Sequence, residues 1–349
     1  MNILLLPISF LHHIILSIRH KLYDWHLLKS KRFDHPVICV GNLSLGGTGK
    51  TPHTEHLIRL LSDSYRVAVL SRGYGRKTKG YRLASASDTS ETLGDEPMLY
   101  HRKYPEILVA VDEDRVEGVE TLLEDTCPPE VILLDDAFQH RKINAGLNLL
   151  LTEYGHLYSK DFLVPAGKLR DVKSAARRAD IIVVSKSPKD LDEKQRAVVV
   201  AQLKPLPHQK VFFSSIEHEP LKPLNEEASK VAIEGIVGGL LFCGIANPKP
   251  LINELSDRYK KLETIAFSDH HAFNENDIDA LLKKFKQLPF EEKIMVTTEK
   301  DYARIINSPY LCKFDSVPLF AAPIHVNIHQ QEEFNKEILD YVRKDHQHG

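Results

Sequence analysis

Directly after the apolar stretch Val37 to Val40, and directly before a segment of helical periodicity at residues 50–63, stands the run Ser44-Leu-Gly-Gly-Thr-Gly-Lys-Thr51. Few local patterns constrain a fold as tightly. A buried strand must turn sharply into a helix here, and glycines in the turn let successive backbone N–H groups converge on one ligand. Gly46, Gly47 and Gly49 supply that freedom around Leu45 and Thr48. The Lys50 ammonium and the positive end of the following helix favour anionic oxygens, and the Thr51 hydroxyl is of the type that ligates Mg²⁺. The eight residues Ser44 to Thr51 are therefore the candidate binding loop for a nucleoside triphosphate. The strict pattern has glycine six residues before the lysine, where this chain has Ser44. A flexible turn without a ligand is the alternative, and the strand–turn–helix context argues against it.

A loop of this kind implies an α/β fold, and the rest of the chain agrees. Val37–Val40, Val67–Leu70, Ile107–Val111, Val131–Leu134, Leu147–Leu151 and Ile181–Val184 are short, apolar and β-branched, with helical patterns such as 50–63 and 113–125 between them. Near-continuous apolar strands alternating with helices predict a doubly wound, mostly parallel sheet covered on both faces. A polar, proline-containing stretch near 217–228 reads as a linker. Beyond it, strands near Gly239–Cys243, Thr264–Phe267, Ile294–Thr297 and Leu319–Ala321 predict a second, smaller α/β lobe, closed by a helix from about Gln330 to Lys344. The expected organisation is thus an N-terminal segment at 1–32, a main domain at 33–216, the linker, and a smaller lobe at 229–349. Charged residues are 27% of the chain, yet the formal net charge is only −2. That excludes the basic excess of a nucleic-acid binder. The four cysteines are widely spaced and form no CxxC pair, which predicts reduced thiols.

The N-terminal segment is the unusual part. From Ile8, the residues Leu11, Ile15, Ile18, Leu22 and Trp25 recur at spacings of three and four, forming one helical stripe. Ser9, His13, Arg19, His20 and Lys21 flank it, and Lys29, Lys31 and Arg32 follow. Polar interruptions rule against a spanning helix of ~20 apolar residues. No basic region precedes the stripe and no small-residue cleavage site follows, so no secretory signal is expected. Two readings remain: a helix lying in a membrane interface, or a stripe packed on the protein's own core.

A bound triphosphate calls for an acid at the end of a buried strand, and Val131-Ile-Leu-Leu-Asp135-Asp136 provides one. The competing role for such an acid pair is a helix cap. Ser71-Arg-Gly-Tyr-Gly-Arg76 and the segment Asp112 to Arg115 each follow a strand, at the sheet edge where ligands bind.

These elements together resemble the tetraacyldisaccharide 4′-kinase family of lipid A synthesis. The resemblance covers nearly the whole chain. It rests on Val40-Gly-Asn-Leu-Ser-Leu-Gly-Gly-Thr-Gly-Lys-Thr-Pro52, Ser71-Arg-Gly-Tyr-Gly-Arg76, Gly94-Asp-Glu-Pro97, Asp135-Asp-Ala-Phe-Gln-His140, Pro165-Ala-Gly-Lys-Leu-Arg-Asp171, Asp269-His-His271 and Thr298-Glu-Lys-Asp301, in the family's order. The family also has Ser or Thr where Ser44 stands. It usually shows Arg-Glu where this chain has Arg170-Asp171, which leaves the role of Asp171 open.

The resemblance implies a fold, an activity and a set of roles. ATP and Mg²⁺ would be the cofactors, with Thr51, Asp135, Asp136 and Gln139 on the metal side. The acceptor would be an acylated glucosamine disaccharide 1-phosphate, met by Arg72, Tyr74, Arg76, Arg115 and Asp171. Asp95 would be the general base that takes the proton of the sugar hydroxyl, oriented by His270, with Lys50 on the transferring phosphate. The expected location is peripheral, on the cytoplasmic face of the bacterial inner membrane, with neither nucleic acid nor an obligate protein partner. For several of these residues a plainer role competes: a helix cap for Asp95, a solvated basic turn for Arg72 to Arg76, a surface charge for Arg115. His270 and His271 are adjacent, and the family motif favours His270. The rival functions are a nucleotide-driven switch protein and a soluble small-molecule kinase. Against the switch, Ser185-Lys186 only partly echoes a guanine-reading motif and lacks its aspartate.

Overall fold

The structure, a computed structural model, describes residues 3–346 apart from 234, 235, 237, 260 and 307. Strands β1 (Val37–Asn42), β2 (Val67–Ser71), β3 (Arg82–Leu83), β4 (Leu108–Val111), β5 (Val131–Asp135), β6 (Leu147–Glu153), β7 (Ile181–Ser185) and β8 (Lys210–His218) belong to one sheet. Strands β9 (Lys222–Pro223), β10 (Gly238–Cys243), β11 (Lys261–Ala266), β12 (Lys293–Thr298) and β13 (Leu319–Ala322) form a second. The last strand, β14 (Ile324–Ile328), returns to the first sheet and pairs antiparallel with β8. The helices are α1 (Leu6–Asp24), α2 (Lys50–Leu61), α3 (Ser90–Leu93), α4 (Asp95–Lys103), α5 (Arg115–Leu123) and α6 (Glu193–Leu203). They continue as α7 (Glu226–Ser229), α8 (Lys249–Arg258), α9 (Glu275–Gln287), α10 (Glu299–Ile305) and α11 (Gln331–His346).

The large sheet runs β14-β8-β7-β6-β1-β5-β2-β4-β3, parallel except at its two edges. Side chains alternate across it as a pleated strand requires. In β1, Val37 and Cys39 join one apolar layer, while Ile38 and Val40 join the opposite one. From β1 the chain first winds to β2 and β4, then returns to β5 and crosses to β6. The carboxyl ends of β1 and β5 therefore flank a switch point, where an open α/β sheet holds its ligand. All of β1, β2, β5 and β7 is buried, which explains the unbroken apolar runs in the sequence.

The C-terminal segment corrects the expected organisation. Residues 324–346, which the sequence places in the smaller lobe, belong to the larger one. Val326 and Ile328, with Phe334, Ile338 and Val342 of α11, lie in the same apolar layer as β1. Phe334 packs edge-on against Phe212, with ring centres 5.3 Å apart, and Tyr341 Oη bonds the Val37 backbone N–H (3.1 Å) and C=O (3.2 Å). Cys39 and Cys243 are buried, whereas Cys127 and Cys312 are exposed, and all four are free.

Helix α1 is amphipathic in the reverse of the usual sense. Its polar side faces the protein. Ser9 Oγ donates to Leu163 O (2.9 Å) and accepts from Ala166 N (3.0 Å), while His20 Nε2 bonds Asp171 Oδ1 (2.6 Å). Arg141 grips the carbonyl of His20 (2.9 Å) and the carboxylate of Asp24 (2.8 Å). Leu11 (59%), Ile15 (57%) and Ile18 (53%) stand in solvent, as do Ile8, Phe10 and Trp25. The stripe is not part of the protein's core, and that alternative is overturned. Among the described residues no helix is long and apolar enough to cross a membrane.

Candidate active site

The phosphate loop is braced at its stem and open at its crown. Leu45 N donates to Lys168 O (2.7 Å), Asn42 Nδ2 to Thr48 Oγ1 (2.7 Å), and Ser185 Oγ to Thr48 O (2.7 Å). Ser44 forms a bridge with Leu169 of the neighbouring loop, so the position that lacks glycine is a pairing position. A Cβ placed on Gly46 or Gly47 would meet nothing within 4 Å. Room for phosphate therefore lies directly against that backbone. Helix α2 starts at Lys50, behind Gly49 at φ 86°, and Lys50 Nζ is 3.6 Å from Asp136 Oδ2.

No helix follows the acid pair, so a capping role is excluded. Asp135 ends β5 and is buried, accepting from Tyr100 Oη (3.3 Å) and Thr54 Oγ1 (3.4 Å). Burial, then the charge of Asp136, pushes its carboxyl up to about 7. Asp136 behaves in the opposite way. Burial pulls upward there too, but Lys50 and Arg170 outweigh it and hold the carboxyl below its usual range. Arg170 forks onto both Asp136 oxygens and onto Asn42 Oδ1 (2.6 Å). Gln139 spends its amide N–H on Asn42 O (2.7 Å), bracing the end of β1. Among the described residues no group of three or more His, Cys, Asp or Glu side chains could hold a metal ion. The donor set that fits Mg²⁺ is the all-oxygen one beside the loop, Thr51 with the two aspartates, which suits a hard cation completed by phosphate oxygens and water.

Asp95 opens α4, but Gly94 is the cap residue and no side chain caps this helix. The carboxylate points away instead. Its Oδ2 lies 2.8 Å from His270 Nδ1 and 2.8 Å from Arg304 Nε. Burial raises the Asp95 carboxyl, but Arg304 and the hydrogen bond from His270 overcome it and hold it below its ordinary value. His270 sits in the left-handed region at φ 57°. Its neighbour His271 turns to Asp277 Oδ2 (2.9 Å) and stacks on Phe267, so His270 is the histidine that reaches Asp95. Helix α4 also carries Tyr100, which touches Asp135, so one rigid element spans from Asp95 to the acid pair. Helices α4 and α10 form the seam between the lobes, through Lys300–Glu96 (2.9 Å) and through Lys103, which meets Glu299 (2.5 Å) and Glu55 (2.7 Å).

The turn Ser71 to Arg76 closes against Asp95. A Cβ on Gly73 would come within 2.6 Å of Leu93 O, and one on Gly94 within 3.1 Å of Gly73 Cα. Only glycines let these two loops meet. Arg72 and Tyr74 are exposed, and the Tyr74 ring lies 6.2 Å from that of His270. Arg76 has a side chain only 2% exposed, with Nη2 on Glu113 Oε1 (2.8 Å) and Gly80 O (2.7 Å), while its Nε and Nη1 have no hydrogen-bond partner among the described residues. Arg115 is no surface charge. It is buried, donates to Asp112 O (2.6 Å), leaves its Nε without a protein partner among the described residues, and is pushed down to about 10 by burial. Asp171 is buried against His20 of α1, away from solvent. Sequence reasoning missed Arg304, Arg170 and Tyr100 as site residues. For Arg304 the sequence held no signal, since an aspartate three residues earlier on the same helix is an ordinary pairing.

The comparisons with known proteins follow this geometry. The family model described as "Tetraacyldisaccharide-1-P 4′-kinase" matches residues 1–343. A tetraacyldisaccharide 4′-kinase of Bacteroides thetaiotaomicron is 43% identical, over 97% of this chain and 93% of the relative. One from Flavobacterium johnsoniae is 42% identical, over 99% of both. The crystal structure of the Aquifex aeolicus protein of this family, solved in complex with ATP, superposes with a TM-score of 0.73 at 31% identity. It covers 97% of this chain and 98% of its own. With the phosphate loop, the acid pair and the Asp95–His270 contact all inside the matched span, the chain belongs to the tetraacyldisaccharide-1-P 4′-kinase family.

Proposed function

We propose that the chain transfers the γ-phosphate of ATP to the 4′-hydroxyl of a tetraacylated glucosamine disaccharide 1-phosphate, in lipid A synthesis, while docked on a membrane surface. The observation that carries the catalytic part is the 2.8 Å contact between Asp95 and His270, made across the lobe seam by residues 175 positions apart. Phosphoryl transfer draws most of its rate from positioning and charge stabilisation. Backbone N–H groups of Ser44 to Thr51 hold the triphosphate, and Lys50 faces the transferring group. Thr51, Asp135 and Asp136 would hold Mg²⁺, which when bound neutralises phosphate charge, with Gln139 steadying the strand end beside them. Asp95 accepts the proton of the sugar hydroxyl, and His270 fixes the carboxylate that does so. The exposed Arg72 and Tyr74 suit the sugar phosphate, and Arg115 approaches from the buried side. Arg76 shapes their turn, while Asp171 anchors α1.

Membrane docking rests on α1. Its polar side is committed to the lobe and its apolar side is left bare, the arrangement of a helix that lies in an interface. On this reading the protein is peripheral, on the cytoplasmic face of the inner membrane, where an acylated substrate and ATP meet. A switch protein is disfavoured further because Lys186 is drawn toward Glu153 (3.4 Å).

The test is a double-mutant cycle. Asp95→Ala should remove most of the base contribution, roughly 10²–10⁴-fold in turnover. His270→Ala should cost less, and the double variant little more than Asp95→Ala alone. ATP binding, followed by nucleotide titration, should survive in all three. Fully multiplicative losses, or fast turnover by Asp95→Asn, would sink the pairing.

A further inference from the structure

Asp95 presents its two oxygens very differently. Oδ2 receives His270 Nδ1 (2.8 Å), Arg304 Nε (2.8 Å) and Arg304 Nη2 (2.8 Å). Among the described residues, Oδ1 has no protein donor. Arg304 lies on α10 of the smaller lobe and cannot swing. Its Nη1 is spent on Asp301 Oδ1 (2.7 Å) and Gly244 O (2.9 Å), and its side chain is 6% exposed. Asp301 is in turn immobilised by Thr298 Oγ1 (2.7 Å) and Gly244 N (2.9 Å). The segment Thr298 to Asp301 therefore builds a rigid mount, and Arg304 is what the mount holds.

We infer that Arg304 is a positioning residue for the transfer reaction: it clamps Asp95 Oδ2 from the smaller lobe and leaves Oδ1 as the oxygen that meets the acceptor hydroxyl. This rests on reading Asp95 as the base. A planar guanidinium held at three nitrogens fixes both the place and the plane of its partner. Docking of the smaller lobe and alignment of the base thereby become one event. Arg304 has an electrostatic consequence as well. The groups facing Asp95 are His270 from the 268–272 loop, Lys300 and Arg304 from α10, and Glu96 on its own helix. Lys300 is already paired with Glu96, and burial opposes ionisation of Asp95. Removing Arg304 takes away the largest effect opposing that burial and leaves only the hydrogen bond of His270 and the charge of Lys300 against it, so the carboxylate takes up a proton at higher pH than in wild type.

The experiment measures kcat/KM for the lipid at saturating ATP, from about pH 4 to about pH 8.5, in wild type, Arg304→Ala, Arg304→Lys and Asp95→Asn. Melting temperatures and ATP affinity are measured alongside. Arg304→Ala should lose roughly 10- to 100-fold, with the acid limb of its profile displaced upward in pH relative to wild type. ATP affinity should be unchanged. Arg304→Lys keeps the charge and loses the fork, so it should hold the acid limb near wild type while recovering only part of the rate. It also carries the test if the alanine variant melts early. A wild-type rate and profile in both Arg304 variants, with Asp95→Asn slow, would overturn this inference alone. A loss in Arg304→Ala and Arg304→Lys with no displaced acid limb, matched by weaker ATP binding, would reduce Arg304 to a structural role. Fast turnover by Asp95→Asn would overturn the base reading and the inference with it.

Discussion

Asp136 at φ 51° and His270 at φ 57° sit on backbone that residues with a side chain rarely adopt, a conformation costing about 1–2 kcal/mol each. In both cases the side chain explains what the strain secures. Asp136 turns toward Lys50 and Arg170, and His270 turns Nδ1 onto Asp95. Strain retained for function separates stability from rate. His270→Gly should therefore be more stable to denaturant than His270→Ala by about 1 kcal/mol, while both lose turnover to the same extent. Equal stabilities would mean the backbone is not strained there. At this scale the sequence was legible wherever chemistry is local. The phosphate loop and the Asp135–Asp136 pair follow from spacing, and Asp95 with His270 follows from family likeness. Arg304 was hidden because an Asp–Arg pair three apart is ordinary on any helix. What distinguishes it is a partner 209 residues away, and sequence spacing carries no such information. Arg76 and Asp171 gain partners that spacing did not announce, Glu113 for one and His20 of α1 for the other.

Helix α1 illustrates what an element's pattern leaves open. A three-four stripe states that one face is apolar, not whether protein or lipid covers it. The other face shows that the protein's own core does not: Ser9 and His20 find partners 154 and 151 residues on, and the apolar residues stay exposed. Fully burying an aliphatic side chain of this size yields roughly 1.5–3 kcal/mol. The Leu11→Ser/Ile15→Ser pair should accordingly weaken binding to anionic lipid vesicles by at least ~10-fold, leaving ATP affinity alone. Undiminished co-sedimentation would remove the membrane role of this face. Helix α2 makes a different prediction. His53 is buried, bonded to Gly49 O (2.6 Å) and Ser214 Oγ (2.9 Å), and burial lowers its pKa from 6.5 to about 4. The unfolded chain binds that proton below about pH 6.5 and the folded chain does not, so stability is lost as pH falls from there toward 4. The total is on the order of 3 kcal/mol, and denaturation curves across this range should flatten in His53→Gln. An unchanged slope would show that His53 accepts the proton within the fold.

For the whole molecule, the parallel strands were readable because both their faces are buried and their runs are unbroken. The edges were not. Strand β8 mixes Phe212 and Phe213 with Ser214 and Ser215, and its outer partner β14 arrives from beyond the smaller lobe, so chain order misassigned the C-terminal segment. That return has a mechanical meaning. The smaller lobe, about 222–322, is an insertion held at both ends by the large sheet, free to dock its α10 on α4. Nucleotide loop and acid pair belong to the large lobe, His270 and Arg304 to the insertion, and α1 carries the apolar surface. On the proposed reading, ATP held by the large lobe and the acylated acceptor meet where the insertion docks on α4. Its most direct test is ³¹P NMR of the lipid recovered after incubation of the enzyme with Mg·ATP and the tetraacyl disaccharide 1-phosphate in vesicles. One new phosphomonoester is expected, coupled to the proton at the 4′ carbon and formed mole for mole with ADP. ADP with inorganic phosphate alone, or a phosphate at any other position, would contradict it.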